Sequence, residues 1–153
     1  MHKLSNQILD LPELEKLASN LCKDICVGDI YLFQGELGAG KTTLVKLLIN
    51  NLYLLNNLSK PASIASPTFP ILITYDLNSS QIYHYDLYRI KNLKELEELD
   101  FFENLNNNIT FIEWPEILIN LPLNKKHYLI NLDMISETKR KINIIFNQLS
   151  NEF

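Results

Sequence analysis

Apolar residues recur at helical spacing in the N-terminal part of the chain. Leucine, alanine and isoleucine residues at positions 14, 17, 18, 21 and 25 would lie on one face of a helix. Asp10 and Glu13 have the spacing of a capping box, and Pro12 lies in the first turn. This pattern predicts an amphipathic helix that begins after Asp10 and ends near Gly28.

Two further segments have the pattern of helices. Leucines at positions 44, 47, 48 and 52 share one side of a helix that is predicted to run from Lys41 to about Leu55. Asn92 and Glu95 form another capping-box pair, so an acidic helix is predicted to follow them and to end near Leu105.

The remaining apolar runs are short and predict strands. A buried strand is expected at 30–33, and "ILITYDL" and "QIYHYDLY" flank "NSS" as the two arms of a hairpin. Three more strands are expected at 109–114, in "HYLINLDM" and in "KINIIF". Helical and strand segments alternate along the chain, which favours an α/β fold, and a single domain over residues 1–153 is predicted.

Composition and charge exclude some classes of protein. The 153 residues carry a net charge of −4, so no overall basic field indicates direct nucleic-acid binding. The tight basic cluster at 139–141 is interpreted as a solvated strand end. Because neither a signal-peptide pattern nor an apolar run of membrane-spanning length is present, a cytoplasmic protein without membrane contact is expected. Cys22 and Cys26 are interpreted as reduced thiols in a core rather than as metal ligands.

The segment "GELGAGKT", residues 35–42, matches the phosphate-loop pattern G-x-x-x-x-G-K-[ST] between a predicted strand and a predicted helix. Three of the chain's four glycines lie in it, and they let backbone N–H groups turn inward around a phosphate. Lys41 is predicted to reach the β- and γ-phosphates, and the Thr42 hydroxyl is predicted to bind Mg²⁺. The predicted nucleotide-binding residues are Glu36, Leu37, Gly38, Ala39, Gly40, Lys41, Thr42 and Thr43.

A phosphate loop alone does not identify a reaction. Guanine specificity has no support, since "NKKH" at 124–127 lacks the acid of the Asn-Lys-x-Asp signature. A small-molecule kinase needs cations over the transferred phosphoryl group, but the chain has only Arg89 and Arg140. A kinase and a nucleotide-gated binding module with incidental hydrolysis therefore remain as alternatives to an ATPase.

Further motifs follow the phosphate loop in a fixed order. They are "SPTF" at 66–69, "YHYDLYRI" at 83–90, "KELEELDF" at 94–101 and "IEWPE" at 112–116. Together with "GELGAGKTTL" they resemble the TsaE (YjeE) family, the small ATPases of bacterial tRNA threonylcarbamoyladenosine synthesis. The resemblance covers roughly residues 8–147.

The resemblance implies a P-loop NTPase-like, three-layer α/β fold with a mixed sheet that has a parallel core and an antiparallel hairpin. It also implies binding of ATP and Mg²⁺ and hydrolysis of ATP to ADP and phosphate, weakly in the protein alone. The implied partners are proteins of the TsaB and TsaD families, which transfer the threonylcarbamoyl group to the adenosine beside the anticodon. Contact with tRNA is expected only through that complex.

Lys41, Asp86 and Glu113 are the predicted catalytic residues. Because Mg²⁺ takes only one or two protein oxygens, an acid that serves as the second protein ligand beside the Thr42 hydroxyl is expected at the end of a neighbouring strand. Glu113 fits that position, and the resemblance assigns metal contact to it; the alternative is a surface carboxylate. By resemblance, Asp86 supports hydrolysis near the metal, by orienting the attacking water or by binding the metal through water. The alternative is a structural pair with Arg89.

The segment "SPTF" occupies the place of a switch loop, in which Ser66 and Thr68 would sense the γ-phosphate. A plain turn with capping hydroxyls is the alternative. His84 is expected to have a hydrogen-bonded packing role, with metal binding as the alternative.

Trp114 is expected to pack over the nucleotide or to contact a partner. Packing in the core is the alternative. Arg89 is a further candidate for a partner or nucleotide contact. For the adenine, the resemblance implies contacts near Leu11 and Asp133.

Overall fold

A computed structural model describes residues 4–121 and 123–147, and over this part the strands form one seven-stranded sheet. The strand order is β1-β7-β6-β2-β5-β4-β3. The strands are β1 (Leu4–Leu9), β2 (Ile30–Gln34), β3 (Leu72–Asp76), β4 (Gln81–Asp86), β5 (Ile109–Glu113), β6 (His127–Met134) and β7 (Arg140–Asn147).

The four central strands are parallel and the outer strands are antiparallel to their neighbours. β2 pairs in parallel with both β5 and β6, and β4 pairs in parallel with β5. β3, β7 and β1 are added through antiparallel pairings. The carboxyl ends of β2, β4 and β5 therefore lie at one edge of the sheet, which is where open α/β sheets place their ligands.

Helices cover both faces of the sheet. The helices are α1 (Leu11–Cys22), α2 (Lys41–Leu55), α3 (Leu93–Glu98) and α4 (Phe101–Asn104), and a 3₁₀ turn spans Glu116–Leu118. One buried cluster joins residues of α1 and α2, such as Ala18 and Leu48, to Phe33 and Phe111 of the sheet. A second cluster joins Phe101 of α4 to the opposite face. The predicted three-layer α/β fold with a mixed sheet is confirmed.

The first helix begins as its sequence predicts but ends early. Glu13 N donates to Asp10 Oδ1 at 3.0 Å, and Asp10 N donates to Glu13 Oε2 at 2.8 Å, which completes the capping box. The helix ends at Cys22 rather than near Gly28. In the loop that follows, Asp29 Oδ2 accepts a 2.8 Å bond from Cys26 N, and Gly28 has a φ of 93°.

Two other differences concern the acidic helix and the start of the chain. The predicted helix after Asn92 is divided into α3 and α4 at Asp100, which has a left-handed φ of 51°. β1 was not predicted, because residues 5–8 are all exposed and show no apolar alternation. Its pairing with β7, rather than its own pattern, makes it a strand.

The two cysteines lie in different environments. Cys22 is buried in the core and its Sγ donates to Leu48 O at 3.3 Å, whereas Cys26 is exposed, so the prediction of a core thiol is wrong for Cys26. Within residues 4–121 and 123–147, no helix has the length and apolar character needed to cross a bilayer.

Candidate active site

The phosphate loop leaves the carboxyl end of β2 and leads directly into α2. A Cβ atom at Gly35 would collide with the carbonyl oxygen of Leu132 on β6, so only glycine fits this close approach. Gly40, the N-cap of α2, has a φ of 102° and offers no side-chain cap. The first N–H groups of α2 therefore lack a capping side chain at an edge where a phosphate can accept from them.

Lys41 is buried beneath this loop. Its Nζ donates to Gly35 O at 2.6 Å and to Glu36 O at 3.0 Å, and lies 3.9 Å from the centre of the Trp114 ring. Burial lowers the pKa of Lys41, whereas nearby carboxylates, with Glu113 the strongest, act in the opposite direction. A polyphosphate in the cavity would supply the negative charge that favours the ammonium form.

Thr42, Glu113 and His84 form a connected chain of hydrogen bonds. Thr42 Oγ1 donates to Glu113 Oε2 at 2.8 Å, and His84 Nε2 lies 2.8 Å from Glu113 Oε1. Glu113 and His84 are both buried. Glu113 is therefore not a surface carboxylate; its two oxygens are held between a hydroxyl of α2 and an imidazole of β4.

Asp86 lies beside Glu113 because of the strand register. The two acids are directly opposed on the parallel strands β4 and β5. Asp86 Oδ2 accepts bonds from Ser66 Oγ at 2.5 Å and Thr68 Oγ1 at 3.3 Å, and Asp86 Oδ1 accepts from Tyr88 N at 3.0 Å. The loop carrying Ser66 and Thr68 is thereby attached to the strand that carries Asp86.

One cavity of about 660 Å³ brings most of the predicted residues together. Its lining includes most of the phosphate loop, both acids, the two hydroxyls of "SPTF" and Trp114, whereas Ala39 is buried and is not part of the lining. The predicted residues in the lining are Glu36, Leu37, Gly38, Gly40, Lys41, Thr42, Thr43, Ser66, Thr68, Asp86, Glu113 and Trp114.

Leu11 and Asp133 lie outside this cavity and apart from each other. Leu11 lines an adjoining cavity of about 470 Å³ that shares Gly40, Thr43 and Arg140 with the first. Asp133 lines a third cavity of about 370 Å³, and its carboxylate lies 3.4 Å from Lys141 Nζ. The structure therefore does not bring the two predicted adenine contacts into one cavity.

Trp114 and Arg89 have distinct surroundings. Trp114 is half-buried, packs against Tyr88 at 4.8 Å between ring centres, and has an unusual φ of 55°. Arg89 lies over the exposed ring of Phe69, 4.9 Å from its centre, and among the described residues no ion pair joins it to Asp86.

Arg140 belongs to the site although the basic cluster that contains it was expected to be a solvated strand end; that prediction is wrong for Arg140. Its Nε donates to Ala39 O at 2.9 Å, and its side chain lines both the phosphate-loop cavity and the adjoining cavity. The sequence of β7 does contain an indication of this position. Side chains alternate between the two faces of a strand, so Arg140 shares a face with the buried Ile142 and Ile144, which is the face that α2 covers.

The oxygen donors at the cavity fit Mg²⁺. A hydroxyl and a carboxylate, those of Thr42 and Glu113, are already within 2.8 Å of each other at the start of α2. Mg²⁺ prefers oxygen ligands and takes only one or two from the protein when phosphates supply others. Among the described residues no group of three or more His, Cys, Asp or Glu side chains could hold a metal ion.

Sequence comparisons give the family. The family model described as threonylcarbamoyl adenosine biosynthesis protein TsaE matches residues 9–142. A tRNA threonylcarbamoyladenosine biosynthesis protein TsaE from Rickettsia felis is 42% identical over 135 residues, covering 88% of this chain and 75% of that protein. One from Aquifex aeolicus is 30% identical over 145 residues, covering 94% and 98%.

A solved structure has the same fold. The crystal structure of YdiB from Bacillus subtilis has a TM-score of 0.62, with coverage of 94% of this chain and 87% of that one. At 21% identity this likeness concerns the fold alone. The family match over most of the chain shows that the chain belongs to the TsaE family.

Proposed function

We propose that this protein binds ATP with Mg²⁺ in the phosphate-loop cavity and hydrolyses it to ADP and phosphate. We further propose that this supports formation of threonylcarbamoyladenosine next to the anticodon of tRNAs. The observation that carries the proposal is the convergence of the phosphate loop, the Thr42–Glu113 pair and Asp86 on one cavity at the carboxyl edge of the sheet. The family membership supports the tRNA-modification role.

Each residue has a role that follows from its contacts. Lys41 would hold the β- and γ-phosphates, which are charged and therefore better acceptors than the carbonyls of Gly35 and Glu36 to which it donates in this structure. Thr42 and Glu113 supply the protein oxygens for the metal. Mg²⁺ bound there neutralises negative charge on the phosphates.

Asp86 lies on the same face as Glu113 and can orient the attacking water or bind a metal-bound water. Because Ser66 and Thr68 donate to Asp86, their hydroxyls are connected to the acids proposed to lie near Mg²⁺. We propose that these two residues form a switch loop which rearranges with the γ-phosphate. The adenine is proposed to extend toward Leu11 in the adjoining cavity, while contact with Asp133 remains a prediction.

The proposed partners are proteins of the TsaB and TsaD families, with tRNA reached through them. Two exposed apolar side chains support a protein partner: Leu37, which lines the cavity, is 86% exposed, and Phe69, next in the chain to the lining residue Thr68, is 84% exposed. Trp114 lines the same cavity, and Arg89 lies over the Phe69 ring. Both are therefore candidates for contact with the partner or the nucleotide.

The test is ATP turnover by the purified protein, alone and with a TsaB–TsaD complex, at varied Mg²⁺. We expect slow phosphate release alone and faster release with the partners. Lys41→Ala should abolish both, whereas Lys46→Ala, on the exposed side of the same helix, should not. The proposal fails if wild-type protein neither binds nor hydrolyses ATP. Phosphate transferred to a metabolite would instead indicate a kinase, and stable ATP binding without turnover would indicate a nucleotide-gated binding module.

A further inference from the structure

The guanidinium group of Arg140 connects two segments that are far apart in the chain. On one side, Nε donates to Ala39 O at 2.9 Å and Nη2 donates to Gly38 O at 3.3 Å. On the other side, Nη1 donates to carbonyls of the turn between β6 and β7, at 2.8 Å for Ser136 and 3.1 Å for Lys139. The phosphate loop and this turn are thus held together by one side chain.

These contacts bear on the direction in which the loop's peptide groups point. A phosphate cradle works when its backbone N–H groups face the anion, which requires the carbonyls of the same peptides to face away. Arg140 bonds two carbonyls of this loop. The Ala39 carbonyl shares its peptide with the Gly40 N–H at the start of α2, whereas the Gly38 carbonyl shares its peptide with the Ala39 N–H, which donates to Glu36 O at 3.0 Å within the loop. The planar fork of Arg140 has five donors in fixed geometry and is always charged, so it can serve both segments at once without losing its proton.

The position of Arg140 also matters for the second cavity. Glu137, Thr138 and Arg140 all belong to its lining, together with Leu11. Arg140 is therefore the side chain that the two cavities share on the β7 side.

We propose that Arg140 is a positioning residue of the nucleotide site: it fixes the carbonyls of Gly38 and Ala39, and with them the conformation of the phosphate loop, and it holds the β6–β7 turn against that loop. This inference rests on the proposed function, since it assigns a second determinant of nucleotide affinity to the same site. Arg140 acts through the loop and is not itself assigned to the reacting atoms.

The test compares Arg140→Gln, Arg140→Lys and the matched control Lys139→Gln, which removes the same charge from the neighbouring, exposed position. Binding of a fluorescent ATP analogue is measured for each, with thermal melting to show that every variant is folded at the assay temperature. Amide hydrogen exchange of residues 36–40 is measured without nucleotide, as a readout that does not depend on binding.

We expect Arg140→Gln to weaken binding by about tenfold or more and to speed exchange in the phosphate loop, because two charge-assisted bonds to the loop are lost. Arg140→Lys should recover only part of the affinity, since a single ammonium cannot serve both segments. Lys139→Gln should behave as wild type.

Wild-type affinity and wild-type exchange in Arg140→Gln would overturn the inference. Full recovery of affinity by Arg140→Lys, or an equal loss of affinity in Lys139→Gln, would also overturn it, because either result would mean that positive charge alone accounts for the effect. If wild-type protein itself binds no ATP, the proposed function fails, while the exchange measurement still decides whether Arg140 orders the loop.

Discussion

The imidazole of His84 lies 2.8 Å from Glu113 Oε1, and neither side chain is accessible to solvent to more than a few per cent. A donor at His84 Nε2 fixes Glu113 Oε1, while Glu113 Oε2 accepts from the Thr42 hydroxyl. We expect His84→Leu to lower the free energy of unfolding by about 1–3 kcal/mol, because a buried acceptor loses its partner. The Mg²⁺ concentration for half-maximal ATP turnover should also rise, and the two are measured by denaturant unfolding and by Mg²⁺ titration.

His84→Gln retains an N–H donor and should recover part of both properties. His127→Gln, a substitution at the start of β6 away from the cavity, is the control. An unchanged Mg²⁺ requirement in a folded His84→Leu variant would contradict a positioning role and leave His84 with packing alone.

Glu113→Gln removes the charge of the proposed metal ligand while keeping its shape. We expect turnover to fall by about a hundredfold or more at moderate Mg²⁺, because an oxygen of low charge is a poor ligand for this cation. Binding of ATP without Mg²⁺ should change little, as measured by calorimetry. Glu98→Gln, on the exposed face of α3, is the matched control. Normal Mg²⁺ dependence in Glu113→Gln would exclude metal binding by this residue.

Asp86→Asn should separate hydrolysis from binding. An amide cannot accept or relay a proton as a carboxylate does, so we expect turnover to fall by about a hundredfold with ATP affinity retained. Because Asp86 also accepts bonds from Ser66 and Thr68, amide exchange at Ser66, Thr68 and Phe69 should increase. Asp76→Asn, at the exposed end of β3, controls for the loss of charge. Retained turnover would return Asp86 to a purely structural role.

The fluorescence of Trp114 should report occupation of the phosphate site. Trp114 is the chain's only tryptophan, and the Lys41 ammonium lies 3.9 Å from its ring centre. Movement of Lys41 toward a phosphate would weaken this cation–π contact and change the emission on addition of ATP. Lys41→Ala should show altered emission from the start and no response to ATP. An identical nucleotide response in the variant would show that the signal has another source.

The two cysteines should differ in reactivity. Burial raises the pKa of Cys22 to about 12, whereas Cys26 is exposed. A thiol reagent at pH 8 should therefore label Cys26 quickly and Cys22 only when the protein unfolds, as mass spectrometry would show. Since the folded-state pKa of Cys22 is raised, its contribution to stability is present below the ordinary thiol pKa and falls as the pH rises above that value. Rapid labelling of both thiols in folded protein would contradict the burial of Cys22.

Local sequence predicted the parts of this fold that local interactions determine. The capping box of α1 and the full span of α2, Lys41–Leu55, follow from neighbouring residues. The contact of Arg140 with Ala39 joins residues 101 positions apart, and a basic cluster at a strand end gives no indication of it without the strand's parity. β1 is likewise a strand through its pairing with β7, and the left-handed Asp100 divides a segment whose composition is helical throughout.

The site residues divide in the same way. The phosphate loop could be placed from its pattern alone, and the order of later motifs indicated Glu113 and Asp86. Their mutual position depends on the register of β4 on β5, which no single segment encodes. The link from Glu113 to His84 is also a cross-strand contact, so sequence predicted a hydrogen-bonded histidine but not its partner.

The pairing of Asp86 with Glu113 on adjacent parallel strands has a consequence for how activity would be lost. A slip of one residue in this register would turn Asp86 toward the face on which Tyr85 and Leu87 pack, and would turn those side chains out of the second core cluster. The geometry of the two acids and the integrity of the core thus depend on the same alignment. Loss of the alignment between the two acids and loss of packing in this part of the core should accordingly occur together on heating.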